Sequence, residues 1–174
     1  MKQITERTLS LIKKEREGEV VNSTLIYKVV SSYVELGRAV SVSEQQPDKT
    51  RHLRIYESKF LADYLKETER FYALESSSFI DANPVTEYLK KAESRLEEEN
   101  IRCEKYLHES SAEKIRTTCE EVLIQKHLER FNSEFRWLLE KDKGDDLAQM
   151  FKMCQKEQNG HMPSTKLSSK LLTI

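Results

Sequence analysis

The sequence predicts an all-α protein built as an elongated stack of amphipathic helices. Its 174 residues include only 4 glycines and 3 prolines, and 34% of them are charged, whereas about 25% is typical of a domain. Few turn-forming residues and many Glu, Lys, Leu and Arg favour long helices with short links. The 37% hydrophobic fraction suits helices that each bury one apolar stripe better than a thick globular core.

Composition also narrows the classes of function. A net charge of −1 provides no global field that would attract nucleic acid or an acidic membrane. No apolar run approaches the ~18 residues of a membrane span, and the first 20 residues do not resemble a secretory signal. The three cysteines lack CxxC spacing, which favours free thiols in a reducing compartment. We therefore expect a cytoplasmic or nuclear protein with no nucleic-acid or membrane partner.

The N-terminal part predicts two helices and a loop. Met1–Glu17 carries apolar residues at helical spacing, and Gly18 can serve as its left-handed C-cap. Asn22 can cap a second helix, which Gly37 would end. A strand is the alternative for its β-branched run, but the length and the caps favour a helix. Arg38–Arg51 shows no periodicity and predicts a loop. The stripe of the second helix is Leu25, Ile26, Val29, Val30, Tyr33 and Leu36.

Two long helices should follow. The first resumes near Leu53, carries Thr68 midway along its apolar face, and breaks at Ser76–Ser78. Asn83 can accept hydrogen bonds from the first turn of the next helix. Pro84 suits the first helical position because the N–H that it lacks would be unpaired there. The apolar face of the first of these helices consists of Tyr56, Phe60, Tyr64, Phe71 and Leu74.

The helix that starts at Pro84 has the clearest apolar stripe in the chain, interrupted at Glu97–Asn100. Glu99 falls on or near the stripe, so this turn should either be wet or meet a cationic partner. For Glu97–Glu99 as a group, a solvated helix face is the default expectation, ahead of a role as acid–base carboxylates. The stripe is Val85, Tyr88, Leu89, Ala92, Leu96, Cys103, Tyr106 and Leu107.

The C-terminal third predicts further helix and then a change of character. Ser110 and Glu113 have the spacing of a capping box. One helix, or two helices with a bend near His127–Arg130, fits the apolar pattern that follows, until the cluster KDKGDD breaks it. A further helix after that cluster would carry Cys154. Residues 158–174 contain turn formers and no amphipathic stripe, which predicts a disordered tail.

The sequence predicts no catalytic, cofactor-binding or metal-binding site. Cys103 and Cys119, like the third cysteine, fall on apolar helix faces, where thiols behave as small hydrophobes. Their spacings to His108 and His127 do not match a zinc site. The four glycines are isolated, so no phosphate-binding loop is present in the sequence.

Packing residues are therefore the ones expected to carry the function. Trp137 is expected in the core, with an exposed aromatic anchor at a protein interface as the alternative. The predicted packing core consists of Tyr64, Leu65, Phe71, Tyr72, Tyr88, Leu96, Tyr106, Leu107, Leu123, Phe131 and Phe135.

The order of several sequence motifs resembles the cullins, the scaffolds of multi-subunit ubiquitin ligases. The resemblance runs over residues 8–153 in one collinear register, and no single motif in it is catalytic. The motifs are GEVVNSTLIYKVVSSYVELG at 18–37, FLADYLKETERFY at 60–72, NPVTEYLKKAESRLEEE at 83–99, YLHES at 106–110, CEEVLIQKHLERFNSEFRWLL at 119–139 and KDKGDDLAQMF at 141–151.

The resemblance implies the middle of a stalk made of five-helix cullin repeats. Residues 1–37 would end one repeat or begin the next, 38–51 would form a loop, 52–157 would supply repeat helices, and 158–174 would be a divergent tail. On this basis we expect a fragment that is incomplete at both ends. The sites that bind the adaptor and the RING subunit would lie outside it, so no residue is assigned to them.

Three functions can be set against one another. The first, implied by the resemblance, is a non-catalytic scaffold segment of an SCF-type ubiquitin ligase that spaces the substrate receptor from the RING module. The second is a truncated helical interaction protein that binds or competes with ligase components or their regulators. The third is a thiol enzyme, which would need a reactive, exposed thiol at Cys103 or Cys119.

Overall fold

The computed structural model describes residues 2–41 and 51–141, and every regular element within them is helical. No helix among these residues is long and apolar enough to cross a bilayer. The α-helices are α1 (Lys2–Arg16), α2 (Ser23–Ser41), α3 (Arg54–Tyr56), α4 (Ala62–Ala82), α5 (Val85–Tyr106), α6 (Ala112–Leu123) and α7 (Leu128–Glu140). A π-helical turn, Glu57–Leu61, joins α3 to α4, and 3-10 turns lie at Arg51–Leu53, Glu109–Ser111 and Gln125–His127.

The turn between α1 and α2 forms as the sequence predicts. Gly18 has a φ of +93°, the left-handed conformation that glycine adopts without a steric penalty. The N–H of Glu19 bonds to the carbonyl of Lys14 at 2.9 Å, which closes a Schellman motif. The side chain of Asn22 accepts the N–H of Leu25 at 3.0 Å. Both predicted caps are confirmed.

The predicted end of α2 at Gly37 is wrong, because the helix continues to Ser41. The first residues of the loop predicted from Arg38 are therefore helical. Gly37 is buried, and a Cβ at this position would collide with the backbone carbonyl of His52. The glycine allows α2 to approach the neighbouring 3-10 turn closely and does not terminate the helix.

Some of the sequence-based predictions lie outside the described residues. These are the central part of the predicted loop, residues 42–50, the helix expected to carry Cys154, and the tail at residues 158–174.

The predicted break at Ser76–Ser78 is also wrong, because α4 continues to Ala82. Ser76 is buried, and its hydroxyl lies 3.0 Å from His127 Nε2, so tertiary contacts satisfy it within the helix. Asn83 does not cap α5. Its side-chain amide donates to the carbonyl of Phe79 at 2.9 Å and so closes the C-terminus of α4.

The predicted capping box at Ser110 and Glu113 does not form. Ser110 lies inside a 3-10 turn, where its N–H donates to His108 Nδ1 at 3.2 Å. The carboxylate of Glu113 pairs instead with Arg116 at 2.5 Å. Of the two alternatives for the chain that follows, the structure has the one with two helices, separated by the 3-10 turn that ends at His127.

The predicted packing residues fall into two groups. The smaller group, Leu65, Phe71 and Phe135, is half-buried against the core. The larger group is buried and consists of Tyr64, Tyr72, Tyr88, Leu96, Tyr106, Leu107, Leu123 and Phe131.

Trp137 is 43% exposed, so the expectation that it belongs to the core is wrong.

The apolar stripes are narrower than the sequence pattern indicates. Leu25 and Leu36 of α2 are 49% and 46% exposed, and Leu74 of α4 is 69% exposed. Large aromatic side chains fill the interior instead: the ring of Phe60 lies 5.9 Å from that of Tyr56 and 6.2 Å from that of Tyr64, centroid to centroid. These stacked pairs contribute packing beyond their buried area.

Burial predicts how two leucine substitutions differ. Leu96→Ala removes a buried side chain of α5 and should lower the free energy of unfolding by about 2–5 kcal/mol. The matched change Leu74→Ala, on the exposed face of α4, should alter it by less than ~0.5 kcal/mol. Urea unfolding followed by circular dichroism measures both. Equal effects of the two substitutions would contradict the described core.

Candidate functional site

The buried carboxylate of Glu99 lies at the centre of the site. It occupies the position on α5 where the apolar stripe requires a core residue, and only 2% of the residue is exposed. A carboxylate without partners in such a place would cost several kcal/mol. Five hydrogen bonds reach its two oxygens, donated by Arg16 (two), Tyr64, Tyr72 and Arg102. Of the two alternatives for Glu99, a wet turn or a cationic partner, the structure has the cationic partner, and the default expectation of a solvated face is wrong for this residue.

Arg16, in the last turn of α1, is the main partner of Glu99. Its Nε and Nη2 donate to the two carboxylate oxygens at 2.9 Å each, the bidentate geometry that guanidinium groups favour. Nη2 also lies 2.7 Å from the hydroxyl oxygen of Thr68 on α4. Arg16 is 3% exposed. The contact therefore joins α1, α4 and α5 through groups that are removed from water.

Aromatic rings surround the guanidinium of Arg16. Its Cζ lies 5.2 Å from the centroid of Tyr64, 5.6 Å from that of Phe71 and 5.4 Å from that of Tyr72. These distances are within the range of cation–π attraction, which is strongest when the cation is desolvated. The cation is therefore stabilised both by the carboxylate and by the ring faces.

A second layer of ion pairs connects the same three helices. Arg95 donates to Glu75 of α4 at 2.9 and 2.5 Å, to Glu98 at 2.7 Å, and to the backbone carbonyl of Arg16 at 3.3 Å. The last of these bonds satisfies a carbonyl at the end of α1. Arg102 donates to Glu98 at 3.2 Å.

Besides the contacts of Arg16 and the burial of Ile12 in the apolar core, α1 makes further hydrogen bonds to its neighbours. Glu15 accepts hydrogen bonds from Tyr106 at 2.9 Å and Lys105 at 3.2 Å, both near the end of α5. Near the other end of α1, the buried hydroxyl of Thr5 donates to the carbonyl of Lys59 at 3.1 Å and lies 2.7 Å from the hydroxyl of Tyr33. Hydrogen bonds thus fix α1 at two places along its length.

The electrostatics of Glu99 and Arg16 favour the charged pair. Burial by itself raises the pKa of the Glu99 carboxyl, but the hydrogen bonds and charge of Arg16, with the two tyrosine hydroxyls, outweigh it and bring that pKa to about 2. Burial opposes the charge of Arg16, yet its pKa is raised by its neighbours. Burial, together with the adjacent Glu99 charge, raises the pKa values of Tyr64 and Tyr72, so both remain neutral donors.

The two described cysteines do not have the properties of a catalytic thiol. Cys103 and Cys119 are free and buried. Burial, together with nearby carboxylates, raises the pKa of both thiols, which lowers the fraction of reactive thiolate. Within residues 2–41 and 51–141, no group of three or more His, Cys, Asp and Glu side chains is placed to hold a metal ion.

The Glu99 cluster is therefore suited to holding α1 in a fixed position on α4 and α5. The polar groups around Glu99 bond to one another, except for Arg102 Nε, which is buried without a hydrogen-bond partner. These groups come from α1, α4 and α5. A shift of α1 by one turn, about 5.4 Å, would separate Arg16 from the carboxylate and leave a buried charge without its partner. The cluster thus favours a single register of α1 on α4 and α5.

Comparison with known families agrees with this helical architecture. Residues 1–171 match the family described as the cullin alpha solenoid domain. The chain belongs to the cullin family. The predicted resemblance and the predicted cullin-type helical stack are thus confirmed.

Curated cullins show similarity along most of the chain. It is 39% identical to Cullin-1 of Dictyostelium discoideum over 160 residues, which cover 92% of the chain and 20% of that relative. It is 37% identical to Cullin-1 of Caenorhabditis elegans over 159 residues, 90% of the chain and 20% of that relative. Cullin-5 of Dictyostelium discoideum is 36% identical over 145 residues, 83% and 18% respectively. This cullin chain spans about a fifth of the length of these relatives.

The depressed pKa of Glu99 predicts a pH-dependent contribution to stability. Glu99→Gln leaves Arg16 buried without its counter-charge and should lower the free energy of unfolding by about 3–5 kcal/mol at pH 7. The folded-state pKa of about 2 is below the ordinary value of 4.5, so the ionised carboxylate stabilises the fold above pH 4.5. This contribution is lost as the pH falls towards 2, and the gap between wild type and variant should narrow by about 3 kcal/mol.

Urea unfolding between pH 7 and pH 2 measures that gap. Glu97→Gln is the matched control, because Glu97 is exposed on the same helix and its substitution should change stability by less than ~0.5 kcal/mol. A Glu99→Gln gap that is constant across this range would show that the carboxylate is not held ionised by Arg16.

Proposed function

We propose that this chain is a non-catalytic spacer segment of a cullin-RING ubiquitin ligase of the SCF type. In this role it separates the substrate receptor from the RING module during ubiquitin-dependent protein degradation. Its membership of the cullin family and its similarity to two proteins named Cullin-1 support the proposal. The raised thiol pKa values of Cys103 and Cys119 argue against the thiol-enzyme alternative.

The observation that carries the proposal is the hydrogen-bonded joint between α1 and the pair α4–α5. A spacer is useful only if its ends keep a fixed separation. Flexibility between the ends lowers the effective concentration of the group bound at one end near the group bound at the other. The hydrophobic effect between helices is non-directional, whereas the bidentate Arg16–Glu99 pair has one favourable geometry. This pair should therefore resist a displacement of α1 along α4 and α5.

The length of α5 indicates the scale of the spacing. Its 22 residues correspond to about 33 Å of helix at 1.5 Å per residue. The partners that we propose are other parts of the ligase or its regulators, in the cytoplasm or the nucleus. The free thiols of Cys103 and Cys119 suit these reducing compartments.

A second candidate function is a helical interaction protein that competes with ligase components. It is favoured by exposed apolar side chains on α2. Leu25, Leu36 and Val40 are 49%, 46% and 56% exposed, and their spacing places them on one face of the helix. Such a face is a surface on which a protein partner could pack. In this role the chain would reduce ligase activity when added in trans.

A segment replacement in a reconstituted ligase tests the spacer function. The matching segment of Cullin-1 from Dictyostelium discoideum is replaced by this chain, and the rate of ubiquitin transfer to a bound substrate is measured. The spacer proposal predicts transfer within about threefold of the unmodified ligase. It also predicts a larger loss for the Glu99→Gln version, about tenfold or more, because a loosened joint lowers effective concentration, with binding of the substrate receptor and RING subunit unchanged.

Two controls make the result interpretable. Glu97→Gln in the same chimera should leave transfer unchanged, since the exposed carboxylate is not part of the joint. The isolated chain, added to the unmodified ligase, should not inhibit it. A folded chimera that binds both subunits but fails to transfer ubiquitin would refute the spacer role, and inhibition in trans would favour the competitor.

A further inference from the structure

We infer that α4 and α5 form a recognition site for a guanidinium group, and that Arg16 of α1 is its resident ligand. The site consists of the ring faces of Tyr64, Phe71 and Tyr72, the carboxylate of Glu99 and the hydroxyl of Thr68. All of these groups belong to α4 or α5. The guanidinium group of Arg16 thus occupies a binding site that α4 and α5 form.

The hydrogen bonds select a planar, forked cation. Nε and Nη2 of Arg16 bond to the two oxygens of Glu99 at 2.9 Å each, and Nη2 also meets Thr68 Oγ1 at 2.7 Å. A guanidinium group presents its N–H donors in one plane at fixed angles, whereas an ammonium is a compact, strongly hydrated charge. An ammonium carries its donors on a single nitrogen, so it cannot reproduce the two parallel N–H···O bonds that two separate nitrogens of Arg16 make to the carboxylate.

The site is held in place by contacts that do not involve Arg16. The Glu99 carboxylate is oriented by Tyr64 and Tyr72, at 2.7 Å each, and by Arg102 at 2.9 Å. The hydroxyl of Thr68 donates its hydrogen to the carbonyl of Tyr64 at 2.7 Å, so its oxygen is free to accept a bond from the guanidinium. A receptor arranged in advance binds with less ordering cost.

This organisation implies that a free guanidinium compound should occupy the site when the side chain of Arg16 is removed. Arg16→Ala retains Cβ, and ethylguanidinium supplies the atoms that the substitution deletes. The inference does not depend on any role in a ligase, because the binding is tested on the isolated chain.

The experiment measures stabilisation of the 174-residue Arg16→Ala chain by ethylguanidinium. Thermal and urea unfolding are followed by circular dichroism at millimolar ligand concentrations, and the dissociation constant is measured by calorimetry. At a ligand concentration ten times that constant, the equilibrium constant for unfolding should fall about tenfold. Ethylammonium, which has the same charge, should change it less than twofold. No stabilisation, or equal stabilisation by both cations, would overturn the inference.

Two control variants isolate the site. Arg70→Ala removes an arginine whose side chain is 74% exposed and whose ion pair with Glu67 spans 3.8 Å, so ethylguanidinium should not stabilise that variant. The double variant Arg16→Ala/Glu99→Gln lacks the carboxylate and should also not respond. Stabilisation of either control to the same extent as Arg16→Ala would show a non-specific effect and contradict the site.

If Arg16→Ala does not fold by itself, the same ligand can be tested for its ability to restore folding. Ethylguanidinium should then restore the helical circular dichroism signal, and failure to do so would count against the site. Arg16→Lys gives an independent reading. Lysine retains the charge but lacks the fork, so the variant should remain clearly less stable than wild type, with a midpoint lowered by several degrees. Wild-type stability of Arg16→Lys would overturn the selectivity for guanidinium.

Discussion

The bidentate ion pair between Arg16 and Glu99 is the interaction on which the arrangement of α1, α4 and α5 depends. Both groups are almost completely removed from water, so each would be strongly destabilising without the other. A buried ion pair of this kind is not necessarily more stable than an apolar contact of equal size. The pair instead restricts the geometry of the helices. Unless α1 packs on α4 and α5 in the register that brings Arg16 to Glu99, a charged side chain is buried without its partner.

This requirement connects the chemistry of the cluster to the spacer role that we propose. Tyr64, Tyr72 and Arg102 donate the other hydrogen bonds to the Glu99 carboxylate. Arg95 of α5 bonds both to Glu75 of α4 and to a backbone carbonyl in the last turn of α1. Motion of α1 against the other helices would break several of these bonds together. Helices joined in this way keep a fixed position relative to one another. A spacer needs this property, whereas a catalytic centre does not depend on it.

The sequence predicts the helical class well, because apolar periodicity depends only on neighbours along the chain. Local signals succeed when no tertiary contact competes, as at Gly18. They fail at Gly37, which serves a close helix approach, and at Asn83, whose side chain caps the preceding helix. For the site, the stripe position of Glu99 indicates either a wet turn or a cationic partner, and the sequence does not decide between them. The identity of that partner, Arg16, follows only from the fold, since the two residues are 83 positions apart in the sequence.

Native-state hydrogen exchange of the wild-type chain tests most directly whether the ion pair joins α1 to α4 and α5 as one cooperative unit. The amide protons of α1 should be protected to within a factor of about ten of those in the centre of α5, because both would be released by the same unfolding event. If the α1 amides exchange a hundredfold or more faster than those of α5, then α1 opens independently and the buried ion pair does not couple the three helices.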